Sequence, residues 1–296
     1  GAVTPLTVAE QMLYEVGDPA AYILPDVVCD FTGVTLVQEG KDRVRVANAR
    51  GPMPTRTYKV SATYPGGFRL VSSSVIAGYD APAKARRVAE AVLNRVGRML
   101  KEAGLPPFGD VAVDVIGDEA LYGGSADPRR TVPREVVLRL CVQHARPEAC
   151  ELLAKESVGT ALATTTGRCG IDAGRPSASP MVRLYSFLLD KEFVDISVRI
   201  DGAEVAVAPF LPPKDHKDKV VHPVVADAAL STGRTIQAPL IALAVARSGD
   251  KGDGSNVGVI ARKPEYWPVI RASLTSEAVK AYFAHYVKGE VERFDL

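Results

Sequence analysis

The strongest folding signal in the sequence is a helical repeat of apolar residues between positions 82 and 103. Val88, Val92 and Val96 recur at helical spacing, and arginine and glutamate residues occupy many of the positions between them. Gly104 follows the pattern, as glycine commonly does where a helix ends. The spacing predicts an amphipathic helix with one face available for packing.

Strand patterns lie on both sides of this helix. Before it, β-branched and alternating residues form short runs, the clearest at 57–63, separated by glycine and proline turns. After it come strand-like runs at 111–116, 134–142, 181–189 and 194–200, and a second helix at 147–162. Leu153, Val158 and Leu162 form the predicted core side of that second helix. The order of elements predicts an α+β fold, with mostly antiparallel sheets and helices on one face.

The segment from 210 to 222 is rich in charge and proline, and it predicts a boundary between domains. On this interpretation, residues 1–215 form a main α+β domain and residues 233–296 form a smaller C-terminal module. The alternative is that the segment is a surface loop within one domain.

Charge and hydropathy argue against two classes of partner. The chain has 36 Lys and Arg against 35 Asp and Glu, so it has no basic field to attract nucleic acid or an anionic membrane. No apolar run approaches the roughly 20 residues that span a bilayer, and the N-terminus shows no signal-peptide pattern.

The four cysteines have neither disulfide nor zinc spacing. We expect a soluble cytoplasmic protein with small-molecule or protein partners, without metal or cofactor.

The most distinctive segment, 240–261, consists of two apolar strand-like runs around a loop rich in glycine and charge. Glycine lets a backbone adopt positive φ or approach a ligand closely, and polar side chains supply hydrogen bonds to an anion. The candidate side chains are Arg247, Ser248, Asp250, Lys251, Asp253, Ser255 and Asn256. The alternative is a solvated hairpin turn, since the same residue types are ordinary turn formers. The loop matches neither the phosphate-binding P-loop nor the EF-hand pattern.

A second candidate segment, 164–180, lies between a predicted helix end and a strand. Arginine binds carboxylates and phosphates in a bidentate manner, so this segment could hold an anion. Its candidate ligands are Arg168, Arg175, Ser177 and Ser179. The competing interpretation is a plain connection, with glycine after a helix and proline before a strand. For Cys169, His144 and His285 nothing in the sequence supplies a catalytic partner, which favours a packed or surface role.

Several strings of residues resemble the acyclic terpene utilisation family, and together they extend over nearly the whole chain. The most specific is Ala-Arg-Ser-Gly-Asp-Lys-Gly-Asp at 246–253. The others are at 24–31, 43–51, 57–64 and 180–187. The resemblance implies a cytoplasmic protein of branched-acid breakdown through coenzyme A thioesters, ending in a small ferredoxin-like module.

The resemblance and the two candidate segments lead to a hypothesis of function. We expect an enzyme, or its substrate-binding part, that acts on a branched acyl-coenzyme A thioester by lyase or hydratase chemistry. Asp250, Asp253 and Lys251 are the expected catalytic residues, with an aspartate transferring the proton and Lys251, like Arg175, binding an anionic group. The other candidate residues would contact substrate. The alternative is a non-catalytic scaffold or assembly subunit of an acyl-coenzyme A carboxylase-like complex.

The resembling proteins extend further than this chain at both ends. They are similar in carrying a long N-terminal region before the counterpart of Gly1 and a glycine-rich stretch after the counterpart of Leu296. We therefore expect a homo-oligomer, or a second chain that supplies the missing segments.

Overall fold

The computed structural model describes residues 1–51, 53–170, 174–207, 210–214, 220–222, 233, 236–251 and 254–295, with only the backbone of Lys251. Helices and antiparallel strands alternate along these residues, which confirms the α+β class. The chain folds into two compact units. The first contains Gly1–Ala62, Leu184–Ala281 and Gly289–Leu296, and the second contains Thr63–Arg183 and Tyr282–Lys288.

Most of the elements are short. The α-helices are α1 (Pro5–Met12), α2 (Ala81–Glu102), α3 (Pro147–Gly159), α4 (Ala161–Thr164), α5 (Leu240–Leu243), α6 (Trp267–Ser273) and α7 (Ser276–Tyr282). The strands are β1 (Tyr22–Ile23), β2 (Val28–Cys29), β3 (Thr35–Gly40), β4 (Arg43–Ala47), β5 (Thr57–Ala77), β6 (Asp110–Ile116), β7 (Glu135–His144), β8 (Arg168–Gly170), β9 (Ser179–Asp190), β10 (Val198–Ile200), β11 (Ala203–Val205), β12 (Ala244–Lys251) and β13 (Gly254–Ala261).

The second unit is built on a five-stranded sheet of order β6-β7-β5-β8, in which β9 also pairs with β5. Along β7, alternate residues are buried, because successive side chains of a strand point to opposite faces. Leu138 lies opposite Ser74 on β5 and opposite Val115 on β6, so the buried faces of the three strands coincide. One face of the sheet is therefore the face of the core.

Helices α2 and α3 cover that face. The apolar repeat of α2 supplies Val88, Val92 and Val96 to the core, as the helical spacing predicts. Helix α3 adds Cys150 and Leu153, both with no exposed surface. Because these helices pack on a single face, the predicted arrangement of sheet and helices holds for this unit.

The core side predicted for the second helix was wrong in part. Leu153 is buried, but Val158 and Leu162 are exposed. Residues five apart in sequence lie roughly 140° apart around a helix, so Leu153 and Val158 face different directions. Helix α3 also ends at Gly159, and Leu162 belongs to the separate helix α4.

The elements around the glycine-rich segment also differ from the prediction. Residues 240–243, expected in a strand, form the short helix α5, and β12 begins only at Ala244. A short apolar run does not distinguish strand from helix, which explains the error. Strand β8 lies within the segment 164–180 that was expected to be a connection or binding loop.

The expected boundary at 210–222 lies partly outside the described residues, and the division at 215 and 233 stays a prediction. In the described part of the chain, no helix combines the length and apolar character needed to cross a membrane.

Leu153→Ala should lower the free energy of unfolding by about 2–5 kcal/mol, because a buried leucine loses transfer free energy and leaves a cavity. Leu162, which is exposed, is the matched control. Its replacement by alanine should change stability by less than about 0.5 kcal/mol. Urea denaturation followed by circular dichroism measures both. Equal losses for the two substitutions would contradict the packing of α3 on the sheet.

Candidate functional site in the β12–β13 hairpin

Strands β12 and β13 form an antiparallel hairpin that takes in most of the predicted loop. Pairing continues from Ala244 opposite Ala261 to Lys251 opposite Gly254. Most of the candidate residues are therefore strand residues, and only positions 252 and 253, which are not described, lie between the paired residues. The regular alternation of a strand, rather than a flexible loop, decides which face each candidate occupies.

One face of the hairpin lies against the residues that follow α1. Arg247 is paired with Gly258 and Gly249 with Asn256, and directly opposed residues project to the same face. The contacts of this face are with Leu13, Tyr14, Glu15 and Val16. The turn after α1 thus joins the hairpin in the first unit.

The side chain of Asn256 holds this turn. Its Oδ1 accepts a hydrogen bond from the backbone N–H of Glu15 at 3.0 Å. Its Nδ2 donates to the carbonyl oxygens of Leu13 at 2.6 Å and Val16 at 2.8 Å. An asparagine side chain offers two donors and one acceptor oxygen, so both ends of the amide are in use. Asn256, predicted to contact substrate, shapes the site through the backbone of the turn.

Two glycines make the close approach of the turn possible. A Cβ at Gly249 would lie 2.8 Å from the Glu15 backbone nitrogen, and one at Gly258 would lie 2.6 Å from the Leu13 Cβ. Real Cβ atoms do not tolerate such contacts, because the repulsion exceeds what a packed structure can absorb. Gly249, one of the glycines that suggested a ligand-binding loop, therefore serves an approach of the chain to itself.

Tyr14 and Glu15 bring ionisable groups to this face. The guanidinium carbon of Arg247 lies 4.6 Å from the centroid of the Tyr14 ring, within cation–π distance. The side-chain hydrogen bond to Glu15, the negative charge of Glu15, desolvation and the charge of Asp250 together raise the pKa of Tyr14 above its ordinary value, and Arg247 acts in the opposite direction. The Tyr14 hydroxyl is therefore hydrogen-bonded to the Glu15 carboxylate, and the Arg247 guanidinium lies over the Tyr14 ring.

Glu15 adopts an unusual backbone conformation. Its φ is +60°, in the left-handed region that residues with a Cβ seldom occupy. Such a conformation costs on the order of 1–3 kcal/mol and persists where surrounding contacts determine it, often at functional sites. Here the contacts are those of Asn256 and Gly249. Neither Tyr14 nor Glu15 belongs to a recognisable motif, and the hydrogen bond to Asn256 joins residues 241 positions apart, so the sequence analysis missed them.

The remaining candidates of the hairpin are on its other face or undescribed. Ser248, Asp250 and Ser255 are exposed, and the Ser255 hydroxyl donates to the Gly249 carbonyl at 3.1 Å. Lys251 is placed by its backbone pairing with Gly254, and Asp253 lies outside the described residues.

The second predicted group belongs to the other unit. Arg168 is half-buried in β8, whereas Arg175, Ser177 and Ser179 are exposed in the residues that lead into β9. Among the described residues, no hydrogen bond joins Arg168 to any of the other three.

The histidine at the end of β7 is packed. His144 is buried, its Nδ1 accepts from the Arg146 backbone N–H at 2.9 Å, and its Nε2 lies 3.2 Å from the Pro106 carbonyl. Among the described residues, no cluster of three or more His, Cys, Asp or Glu could hold a metal ion. The cysteines are free thiols, and burial raises the pKa of Cys150.

Two protein-family models match the sequence. Residues 1–200 match the family model described as "Acyclic terpene utilisation family protein AtuA". The chain belongs to the AtuA family. A second model, described as "AtuA ferredoxin-like domain", matches residues 238–295, which confirms the expected C-terminal module. Searches of curated proteins and of solved structures each gave no significant match. In this AtuA-family chain, Tyr14 and Glu15 come from the first matched region and Arg247 and Asn256 from the second.

Asn256→Asp tests the role of the amide in holding the turn. The substitution replaces two N–H donors by a charged oxygen that faces the carbonyls of Leu13 and Val16. We expect a loss of about 3 kcal/mol or more, since an unpaired buried polar group costs about 1–3 kcal/mol and a charged one costs more. The backbone amide of Glu15 should also exchange faster with deuterium.

Ser255→Ala is the control for this substitution, because it removes one exposed-face hydrogen bond from the neighbouring position of β13. Its effect on the free energy of unfolding should not exceed about 1 kcal/mol. If Asn256→Asp costs no more than Ser255→Ala in urea denaturation, the amide does not hold the turn.

The ionisation of Tyr14 tests the charge arrangement at the hairpin. In an absorbance titration of phenolate, the wild-type minus Tyr14→Phe difference should show a group that ionises above the ordinary tyrosine pKa. Glu15→Gln should lower the pKa of that group, because it removes a negative charge and a charged acceptor, and Arg247→Met should raise it. Shifts in the reverse directions would show that the three side chains do not interact as described.

Proposed function

We propose that the chain is an enzyme, or the substrate-binding part of one, that acts on a branched acyl-coenzyme A thioester in acyclic terpenoid or related branched-acid metabolism. The reaction is of lyase or hydratase type. The observation that carries the proposal is the cluster of Tyr14, Glu15 and Arg247 on one face of the hairpin. Asp250 follows Gly249 in β12 and lies on the opposite face. Membership of the acyclic terpene utilisation family supports the substrate class.

The cluster contains the groups that chemistry beside a thioester carbonyl needs. Adding water to a double bond, or removing it, moves a proton at the carbon next to the carbonyl and places negative charge on the carbonyl oxygen. A phenol whose pKa is raised stays protonated at neutral pH and can donate a hydrogen bond to that oxygen. Tyr14 is the proposed donor. Its hydroxyl carries a single proton, which donates to Glu15 in the structure, so the carbonyl oxygen of the substrate would replace Glu15 as the acceptor.

The proton at carbon requires a base. Asp250 is the proposed base: it is exposed on the other face of β12, and its negative charge contributes to the raised pKa of Tyr14. In the hydration direction, its carboxylate takes a proton from water while the hydroxyl bonds to the β-carbon, and the protonated carboxyl group then gives that proton to the α-carbon. In the reverse direction the same groups exchange roles, as microscopic reversibility requires.

The anionic parts of the substrate require cations. Arg247 is half-buried against the Tyr14 ring, which orients its guanidinium, and a planar guanidinium suits the oxygens of phosphate. Lys251, at the tip of the hairpin, is the proposed second cation, with Asp253, Ser248 and Ser255 as further contacts. Tyr14 and Glu15 are new to the hypothesis, whereas Lys251 and Asp253, expected to be catalytic, are here assigned to substrate binding.

Titration with isobutyryl-coenzyme A tests the proposal, with free coenzyme A and isobutyrate as partial ligands. Binding at 100 times Kd should stabilise the protein by about 2.7 kcal/mol, which a thermal shift detects. Arg247→Ala should weaken binding at least tenfold. Tyr14→Phe should bind normally but lose about 100-fold in rate with an unsaturated or hydroxylated thioester, because it removes a group that acts in the transition state.

Tyr79→Phe is the matched control, since Tyr79 is exposed in the second unit. Both its binding and its rate should equal those of the wild type. Absence of any stabilisation at millimolar thioester would refute the enzyme proposal and favour the alternative, a scaffold subunit of an acyl-coenzyme A carboxylase-like complex.

A further inference from the structure

A half-buried cation in the second unit lacks the counter-charge that such a group requires. Arg168 on β8 donates through Nη2 to the Ser157 carbonyl at 2.8 Å. Its Nη1 reaches the hydroxyl oxygens of Thr164 at 3.2 Å and Thr160 at 3.5 Å, both at the long end of hydrogen-bond distances. All three acceptors are neutral, and among the described residues no carboxylate pairs with Arg168.

The surroundings of Arg168 are also incompletely satisfied. Its Nε and the hydroxyl oxygen of Ser157 are buried without a hydrogen-bond partner in the described structure. Desolvation lowers the pKa of Arg168, and no negative charge from the described residues compensates for it. Removing a charge from water without pairing it is costly, so native proteins seldom leave such groups unpaired. The arrangement is that of a site whose anion comes from elsewhere.

A cavity of about 520 Å³ is lined by residues of α2, α3 and α4 but not by Arg168 itself. Thr160 and Thr164, the two hydroxyl partners of Arg168, line it. Its wall also carries Arg95, which forms an ion pair with Glu156. Since that pair is neutral in sum, the cation that remains on the wall is Arg98, which has no polar partner among the described residues. The cavity therefore combines an apolar lining with an excess of positive charge.

We propose that this cavity binds a small ligand through a carboxylate or phosphate group. The anion would take a hydrogen bond from the Thr164 hydroxyl, which itself accepts from Arg168 Nη1, and Arg98 would contact it from the wall. The charge of Arg168 would act on the anion through Thr164. Ala91 and Ala163, which also line the cavity, leave room for a short apolar tail. The site lies in the second unit and is separate from the function proposed for the hairpin.

Calorimetric and thermal-shift titrations of the full chain with inorganic phosphate and with isobutyrate test the proposal. Chloride at equal ionic strength is the reference, because phosphate stabilises proteins without specific binding. We expect one of the two anions to bind at millimolar concentration or tighter and to raise the Tm, and the anion that binds identifies the ligand group. Binding of neither anion would overturn the proposal.

Variants on the cavity wall separate the site from unspecific effects. Arg98→Ala and Thr164→Val should each weaken binding at least tenfold while leaving the folded structure intact, since neither side chain is buried. Arg87→Ala is the matched control, because Arg87 is exposed on the same helix and pairs with Glu90 away from the cavity. If all three variants bind the anion like the wild type, the cavity is not the site.

Arg168 itself is tested by a pair of substitutions. Arg168→Met should abolish the anion-dependent rise in Tm, whereas Arg168→Lys should retain part of it, because the charge stays but the fork of donors is lost. Asp172 follows in the sequence and lies outside the described residues, so Asp172→Asn supplies the counter-test. A loss of stability in Asp172→Asn without anion, equal to that in Arg168→Met, would assign the counter-charge to Asp172 and overturn the proposal.

Discussion

The hydrogen bonds of one side chain, Asn256, hold together the part of the molecule where ionisable groups gather. In the turn after α1, the Asn256 amide bonds to the carbonyls of Leu13 and Val16 and to the N–H of Glu15. With those bonds in place, Glu15 is held at positive φ, and Tyr14 lies beside Arg247. The position of each charged group at the hairpin therefore follows from a neutral amide that binds only backbone.

In the second unit, apolar packing rather than a polar side chain holds the structure around the charged group. The core of this unit is formed by burial of apolar residues of β7 against α2 and α3. Arg168 lies at the edge of this core with neutral partners only among the described residues. Burial of apolar surface can offset a local electrostatic cost of a few kcal/mol. A stable sheet and two helices thus tolerate a cation that is unfavourable by itself.

The sequence predicted the parts of the fold that repeat a regular pattern and missed those that depend on distant contacts. Helix α2 and strand β7 were found because their periods of about 3.6 and 2 residues extend over many positions. The short elements α5 and β8 were missed, since four or three residues are too few to show a period. Arg247 and Asn256 were identified from a string of unusual composition, in which Gly249 approaches the α1 turn. Tyr14 and Glu15 could not be identified, because a turn of ordinary residues becomes significant only through what packs on it.

The cluster at the hairpin joins the two regions that define the family. Tyr14 and Glu15 lie in the region matched by the AtuA family model, and Arg247 and Asn256 lie in the ferredoxin-like domain. Neither region contains the cluster alone, because the phenol and carboxylate come from one and the guanidinium and the holding amide from the other. A ferredoxin-like module without the α1 turn would keep its hairpin but would present Gly249 and Gly258 to solvent. Because a side chain at either glycine would collide with the turn, the glycines of the module are explained by its contact with the first matched region. The two regions form one structural unit at this point.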